Sequence, residues 1–463
     1  MKTRLSTLIA LILILPACGT PPGPTPTATV AATSAAAPSS TPQPPTMTPA
    51  PPSTQAPTET AASPAVLPES LSASGPWLVV KAEDGLWAAN ADGSGLTQFV
   101  NSILINQIAP APGGGHLAFI ESNPQQFNGL TLTLLTLPGG EVRTITPLQK
   151  EGVDYLAFDI GQPEFESARA IVEHKALAWS PDGKVLAFIG AQDGPSADLY
   201  TYFVEEDRLA RISEEPSQVY GLSWSADNNH LVFGSVETFG AGAGYALAGM
   251  WLGHADGSGV QPMLFTQLGA DETVLGWRSA DVFVAIGWDA ECGSRNIHSY
   301  NINDVNGTPQ TLHDNCFNTA AFDPASGAIL FGVDQFLADF SEVKQAPGVY
   351  LLAPGADQAK RISDVTSATQ VEWSAVDAVF VVATEEAVLA FAPTGEAVDP
   401  ATLAQMTGLS QGSLIGIPKA WSPNGQTEAV ISQGLLYVAD RSDMTARLVT
   451  DQLSIESIMW VGQ

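Results

Sequence analysis

Positive charge is what this 463-residue chain has least of. Lys and Arg number 18 against 48 Asp and Glu, the four types make up only 14% of the residues, and the net charge is −30. Such a surface repels phosphate backbones and anionic headgroups, which excludes a nucleic-acid partner. A cationic partner or a metal ion suits it, and so does plain solubility. Histidine is scarce as well, with six residues, the last at His313. That bears on GLSQG, Gly408 to Gly412, which matches the nucleophile-elbow pattern. The chemistry needs a histidine downstream of Ser410 in an α/β domain, and none follows, so the match is one of chance. P-loop, H-E-x-x-H and dinucleotide fingerprints are missing, and no cofactor is expected. Apolar runs long enough to span a membrane are missing too.

The longest apolar run is LSTLIALILIL, 11 residues, between the basic MKTR and LPAC, which ends at Cys18. It is too short to cross a bilayer and suits a signal peptide. LPAC resembles the lipobox of bacterial lipoproteins, with Pro16 where a small residue is usual. The resemblance implies a lipoprotein signal peptide over 1–18, lipidation of Cys18, and a place in the bacterial cell envelope on its extracytoplasmic side. Membrane contact is then through the lipid anchor only. Residues 19–74 are mostly Pro, Thr, Ala and Ser. They have too few large apolar side chains to bury a core and read as a disordered tether.

From residue 75 a repeat begins. AWSPDGKVLAFIG starts at Ala178, with relatives at Leu222, Leu275, Ala320, Val371 and Lys419, a degraded copy at Ile108 and a truncated one at the C-terminus. Aligned on the aromatic, the anchors are Pro110, Trp179, Trp224, Trp277, Phe322, Trp373, Trp421 and Trp460, spaced by 69, 45, 53, 45, 51, 48 and 39 residues. A period in the forties with alternating apolar residues predicts an all-β propeller of four-stranded antiparallel blades. The count is eight, or seven if the weak Ile108 copy is discounted. Two residues before the anchor the chain is apolar, with Lys419 the exception. One residue before it the chain is small, with Glu372 and Met459 the exceptions. Crowding at the axis explains the small residues on this reading. Nine residues after the anchor, Phe119, Phe188, Phe233, Ile286, Phe331, Val382 and Val430 are expected to fill the packing between blades.

The outer half of each blade repeats as well. GLWAANADGSGLTQF from Gly85 matches GMWLGHADGSGVQPM from Gly249, each a strand, a tight turn and a strand. The Asp-rich turns depart from the twelve-residue calcium loop after the Gly, and hairpins explain them. The first copy lacks an innermost strand and the last supplies only one, so the C-terminal strand is expected to complete the N-terminal blade and close the ring. WSPDGK followed by LY…DG…LT resembles the TolB-like propeller repeat over residues 75–463. The resemblance implies the fold. TolB itself binds a lipoprotein partner without catalysis, and its separate N-terminal domain is absent here.

Turns between first and second strands, and between third and fourth, are short. The long segments, 148–175, 236–249, 288–296, 334–348 and 399–416, lie almost all on the other face. Loops on a rigid scaffold carry function. Tyr155, Phe158, Phe165, Tyr245, Trp288, Phe336 and Phe340 are the aromatic candidates for binding a protein or glycan there, or for plugging the loops onto the ring. His174, Lys175, Tyr220, Glu272, Asn318 and Glu456 precede or enter innermost strands and are placed at the channel mouth. Cys292 and Cys316 fall on one face, where an oxidising compartment favours a disulfide. A metal site of Cys292, His298, His313 and Cys316 matches no usual zinc spacing. The expected function is that of a tethered, monomeric, non-catalytic module for an envelope or extracellular protein or glycan. The alternative is an extracytoplasmic carbohydrate-active or other hydrolase or lyase propeller with its site at the channel mouth.

Overall fold

The computed structural model describes residues 70–122, 129–150, 162–173, 175–214, 217–238, 245–263, 273–289, 293–340, 345–356, 358–384, 387–399, 402, 419–442 and 445–462. The chain divides into Met1–Pro64 and Ala65–Gln463, and all that follows concerns the second unit. The signal peptide, Cys18 and nearly all of the tether lie outside the described residues, as does GLSQG.

Eight antiparallel sheets follow one another along the chain. Blade 1 holds Trp77–Ala82, Gly85–Asn90 and Thr97–Asn101, with Ile455–Val461 as its innermost strand. Blade 2 holds Ile105–Pro110, His116–Ser122, Leu130–Thr136 and Glu141–Pro147. Blade 3 holds Leu177–Trp179, Val185–Gly190, Asp198–Phe203 and Arg208–Arg211. Blade 4 holds Gln218–Trp224, His230–Thr238, Tyr245–His254 and Val260–Pro262. Blade 5 holds Thr273–Trp277, Val282–Asp289, Gly293–Asn301 and Gln310–Cys316. Blade 6 holds Thr319–Phe322, Ile329–Val333, Gly348–Leu352 and Lys360–Ser363. Blade 7 holds Ala368–Ser374, Val379–Thr384 and Val388–Phe391. Blade 8 holds Lys419–Trp421, Thr427–Ser432, Leu435–Asp440 and Ala446–Thr450.

The weak Ile108 copy is therefore a full blade, and the count is eight. Blade 7 shows three strands among the described residues, and beyond the third Ala397 bridges to Phe391 and Val398 N donates to Ala390 O at 2.9 Å. The C-terminal strand closes the ring as expected, with Trp77 opposite Val461 and Leu78 opposite Trp460.

The repeat residues show how neighbouring blades are held. Trp179 Nε1 donates to Ala109 O of blade 2 at 2.9 Å, and Trp224 Nε1 to Ala178 O of blade 3 at 2.9 Å. Trp277 Nε1 donates to Ser223 Oγ of blade 4 at 3.0 Å, and Trp460 Nε1 to Ala420 O of blade 8 at 3.0 Å. Each acceptor belongs to the small residue just before the preceding anchor. Phe322 has no N–H to give, and its ring covers Gly276, where a Cβ would stand 2.2 Å from the Phe322 Cδ1. The small residues thus make room for the next anchor's ring, a cause different from the axial crowding expected.

Of the residues nine after the anchor, Phe119, Phe188, Phe233, Phe331 and Val382 are fully buried, and Val430 nearly so. Ile286 faces the other way. The hairpin after Trp277 is one residue shorter than those after Trp179 and Trp224, so Phe283 stands opposite its anchor where Leu186 and Leu231 stand opposite theirs. Phe283 and Ala285 then pack toward blade 4, and Ile286 packs toward blade 6.

The turns are built as their residues require. Ser180 Oγ donates to Asp182 Oδ1 at 2.7 Å and accepts from Val185 N at 3.0 Å, which ties the SPDG turn to its own strand. Ser422, Asn424 and Thr427 repeat the arrangement in blade 8. In the outer hairpin of blade 1, Ser94 donates both its N–H and its hydroxyl to Asp92, holding that carboxyl below the usual range. Gly93, at φ +83°, rests on Val449 of blade 8. Hairpin geometry and close packing account for these turns without a metal.

Two substitutions test the junctions. Trp224→Phe keeps the ring but strips Ala178 O of its donor, and is expected to cost about 1 kcal/mol. Gly276→Ala forces a methyl against Phe322 and is expected to cost about 1–3 kcal/mol. Both are read as shifts of the denaturant midpoint by tryptophan fluorescence.

Candidate long-loop face

Two helices rise where the repeat is interrupted. Helix α1, Pro163–Glu173, occupies the described part of the long segment between blades 2 and 3. Proline at its first position and two glutamates in its first turn favour its start. Ala170 and Ile171 are fully buried and join the core of blades 2 to 4. Its end is held by Gln107 of the innermost strand of blade 2. Gln107 Nε2 donates to Ile171 O at 2.7 Å and Val172 O at 3.2 Å, and its Oε1 accepts from Ala176 N at 2.9 Å. Orphan carbonyls at a helix C-terminus need such a donor. Within α1, Glu166 is buried and pairs with Arg169 at 3.1 Å. Phe165 is half-buried.

Helix α2, Gln335–Phe340, follows the second strand of blade 6. Asp334 caps it, accepting from Leu337 N at 2.7 Å. Asn318 grips that cap twice: its Nδ2 donates to Asp334 Oδ2 at 2.8 Å, and its Oδ1 accepts from Asp334 N at 2.8 Å. Leu337 and Ala338 are buried, while Phe336 is 67% exposed.

The expected site residues fare unevenly. Tyr155, Phe158, His174, Glu272 and Cys292 lie outside the described residues. Tyr245 and Trp288 are on strands of blades 4 and 5, because the described parts of 236–249 and 288–296 continue the strands on either side. Phe340 ends α2. Lys175 is exposed. Tyr220 lies against Gly234, where a Cβ would stand 2.4 Å from its ring. Glu456 pairs with Lys81 at 2.6 Å, tying the closing strand to blade 1. Asn318 positions α2. Cys316 is buried. Among the described residues, no group of three or more His, Cys, Asp and Glu could hold a metal. Gln107 was not among the expected site residues, and no local pattern gives it a signal. Neither helix was expected, though both carry a signal: a proline opening PEFESARAIVE, and an Asp cap before QFLADF.

A cavity of about 410 Å³ sits near the rim between blades 5 and 6, lined in part by His313, Asp314, Gln345 and Tyr350. The His313 ring lies 4.5 Å from Phe331 and 6.0 Å from Phe317, and its Nε2 is buried with no partner. Burial pushes its pKa down to about 4, against a partial opposing pull from Asp314.

No protein-family model and no curated protein matches the chain in sequence. Solved structures match in fold. Dipeptidyl peptidase 4 from Porphyromonas gingivalis aligns over 81% of this chain and 58% of its own, at 13% identity and a TM-score of 0.51. TolB from Acinetobacter baumannii aligns over 84% of this chain and 66% of its own, at 14% identity and a TM-score of 0.33. The β-propeller domain of the Trilobed protease from Pyrococcus furiosus aligns over 82% and 96%, at 12% identity and a TM-score of 0.40. The chain thus spans less than two thirds of the peptidase's length. The class defined is the β-propeller, and at these identities the likeness is one of fold alone.

The unprotonated His313 gives a pH prediction. Above pH 6.5 the residue is neutral whether the chain is folded or not. As pH falls from 6.5 toward 4 the unfolded chain takes up a proton that the folded chain refuses, so stability is lost over that window. His313→Gln is expected to remove a loss on the order of 2–3 kcal/mol between pH 7 and pH 4, read as the difference between the two proteins' denaturation curves.

Proposed function

We propose that this propeller is a non-catalytic module that binds an envelope or extracellular protein or glycan through its long-loop face. It acts as a monomer, held at the bacterial cell envelope by a lipid on Cys18 and a tether over 19–74. Phe336 carries the reading. A 67%-exposed aromatic stands on a helix whose cap is gripped twice by Asn318 and whose inner face is buried. Large exposed aromatics on fixed backbone are the usual anchors of a binding patch, since little entropy is lost when they are covered. The net charge of −30 favours a cationic partner surface. A disulfide between Cys292 and Cys316 belongs to the same proposal, since it would brace blade 5 in an oxidising compartment.

The test uses the full chain produced in a bacterial host. Cys18→Ser is expected to move the protein from the membrane to the soluble envelope fraction. Phe336→Ala is expected to weaken capture by isolated envelope about ten-fold or more while leaving the melting temperature unchanged. Equal capture of the two proteins would contradict binding through this face.

A further inference from the structure

Apolar clusters fill the junctions between neighbouring blades. One joins blades 1 and 2, another joins 2, 3 and 4, and others join 4 to 5, 5 to 6, 6 to 7 and 8 to 1. Among the described residues, none joins blade 7 to blade 8. The innermost strands also touch closely in succession around the ring, except those of blades 7 and 8. The ends of the chain are not the weak place, because blade 1 is packed on both sides.

The residues that break the repeat meet at this junction. Glu372 occupies the small-residue slot of blade 7, and Lys419 the apolar slot of blade 8. Trp421 is opposite Glu428 in register, and Lys419 is opposite Val430. Glu428 is only 1% exposed. Burial holds the Lys419 amine below its usual range, and Glu428, Glu372 and Asp377 oppose that effect. Arg441 of blade 8 pairs with Asp377 of blade 7 and lies 5.4 Å from the centre of the Trp421 ring. Among the described residues, the Trp421 indole makes no bond to blade 7 of the kind Trp179, Trp224 and Trp460 make to their neighbours, and Trp373 makes none to blade 6 either. The turns still touch, with Gly425 of blade 8 resting on Val376 of blade 7, but between the strands charges stand in this junction whose desolvation cost offsets much of their attraction. Charges pulled apart are rehydrated, whereas parted apolar faces are not.

We propose that the ring parts between blades 7 and 8, which opens a lateral way to its axis there. The proposal is independent of the partner's identity.

Cysteine reporters test it in the full chain. Val430→Cys puts a thiol on the blade 8 side of this junction, and Val382→Cys puts one at the equivalent position of blade 7, facing blade 6. Both valines are buried, at 5% and 0% exposure. Maleimide labelling is followed at each site by mass spectrometry of its peptide, so native cysteines do not interfere. The thiol at 430 is expected to react at least ten-fold faster than that at 382. Asp377→Asn, which removes the tie to Arg441, is expected to speed the first and leave the second unchanged. Lys419→Leu combined with Glu372→Ala restores the repeat pattern and is expected to slow the first toward the second. If that variant does not fold, Asp377→Asn decides. Equal rates at the two thiols, or rates that Asp377→Asn raises together, would overturn the proposal.

Discussion

An aromatic ring laid on a small residue of the preceding blade is the contact on which the ring depends. It does two things at once. The ring buries apolar surface between two sheets, and in four junctions its indole N–H satisfies an acceptor of the neighbouring strand. A buried acceptor left without a donor is costly, so the bond fixes the stagger of one blade on the next. Phe322 on Gly276 shows that the ring is the essential part, since the packing survives without the bond. Stability is then shared among near-neighbour junctions, as in other repeat architectures.

This contact made the fold legible in the sequence. Trp179, Trp224, Trp277 and Trp460 carry a period, and the Ser-x-Asp or Ser-x-Asn turns after Trp179, Trp224 and Trp421 mark where strands reverse. Closure by Ile455–Val461 was legible for the same reason, because an unpaired innermost strand had one vacant place to go. The reversed face of Ile286 could have been read from the turn after Trp277, one residue shorter than those after Trp179 and Trp224.

The long-loop face was legible only in outline. Segment lengths showed where the repeat is interrupted, but not what the extra residues build. Asn318 reads from sequence as a polar residue at the channel mouth, yet its amide is fully engaged with Asp334. Glu456 reads the same way and is paired with Lys81. Side-chain partners distant in sequence decide such roles, and no local pattern encodes them. The exceptions to the repeat were more informative than its matches. Glu372 and Lys419 look like separate lapses along the chain, and the ring brings them to one junction.

Closure through the C-terminal strand is the claim that most of this rests on, because Trp460 both completes blade 1 and reaches Ala420 of blade 8. The direct measurement is thermal unfolding of the chain ended after Ser454, beside the full-length protein. Removal of the strand exposes the edge of blade 1 and empties two junctions. A lower midpoint is expected, with the single cooperative transition broadened or split. An unchanged midpoint and an unchanged single transition would contradict a ring closed in this way.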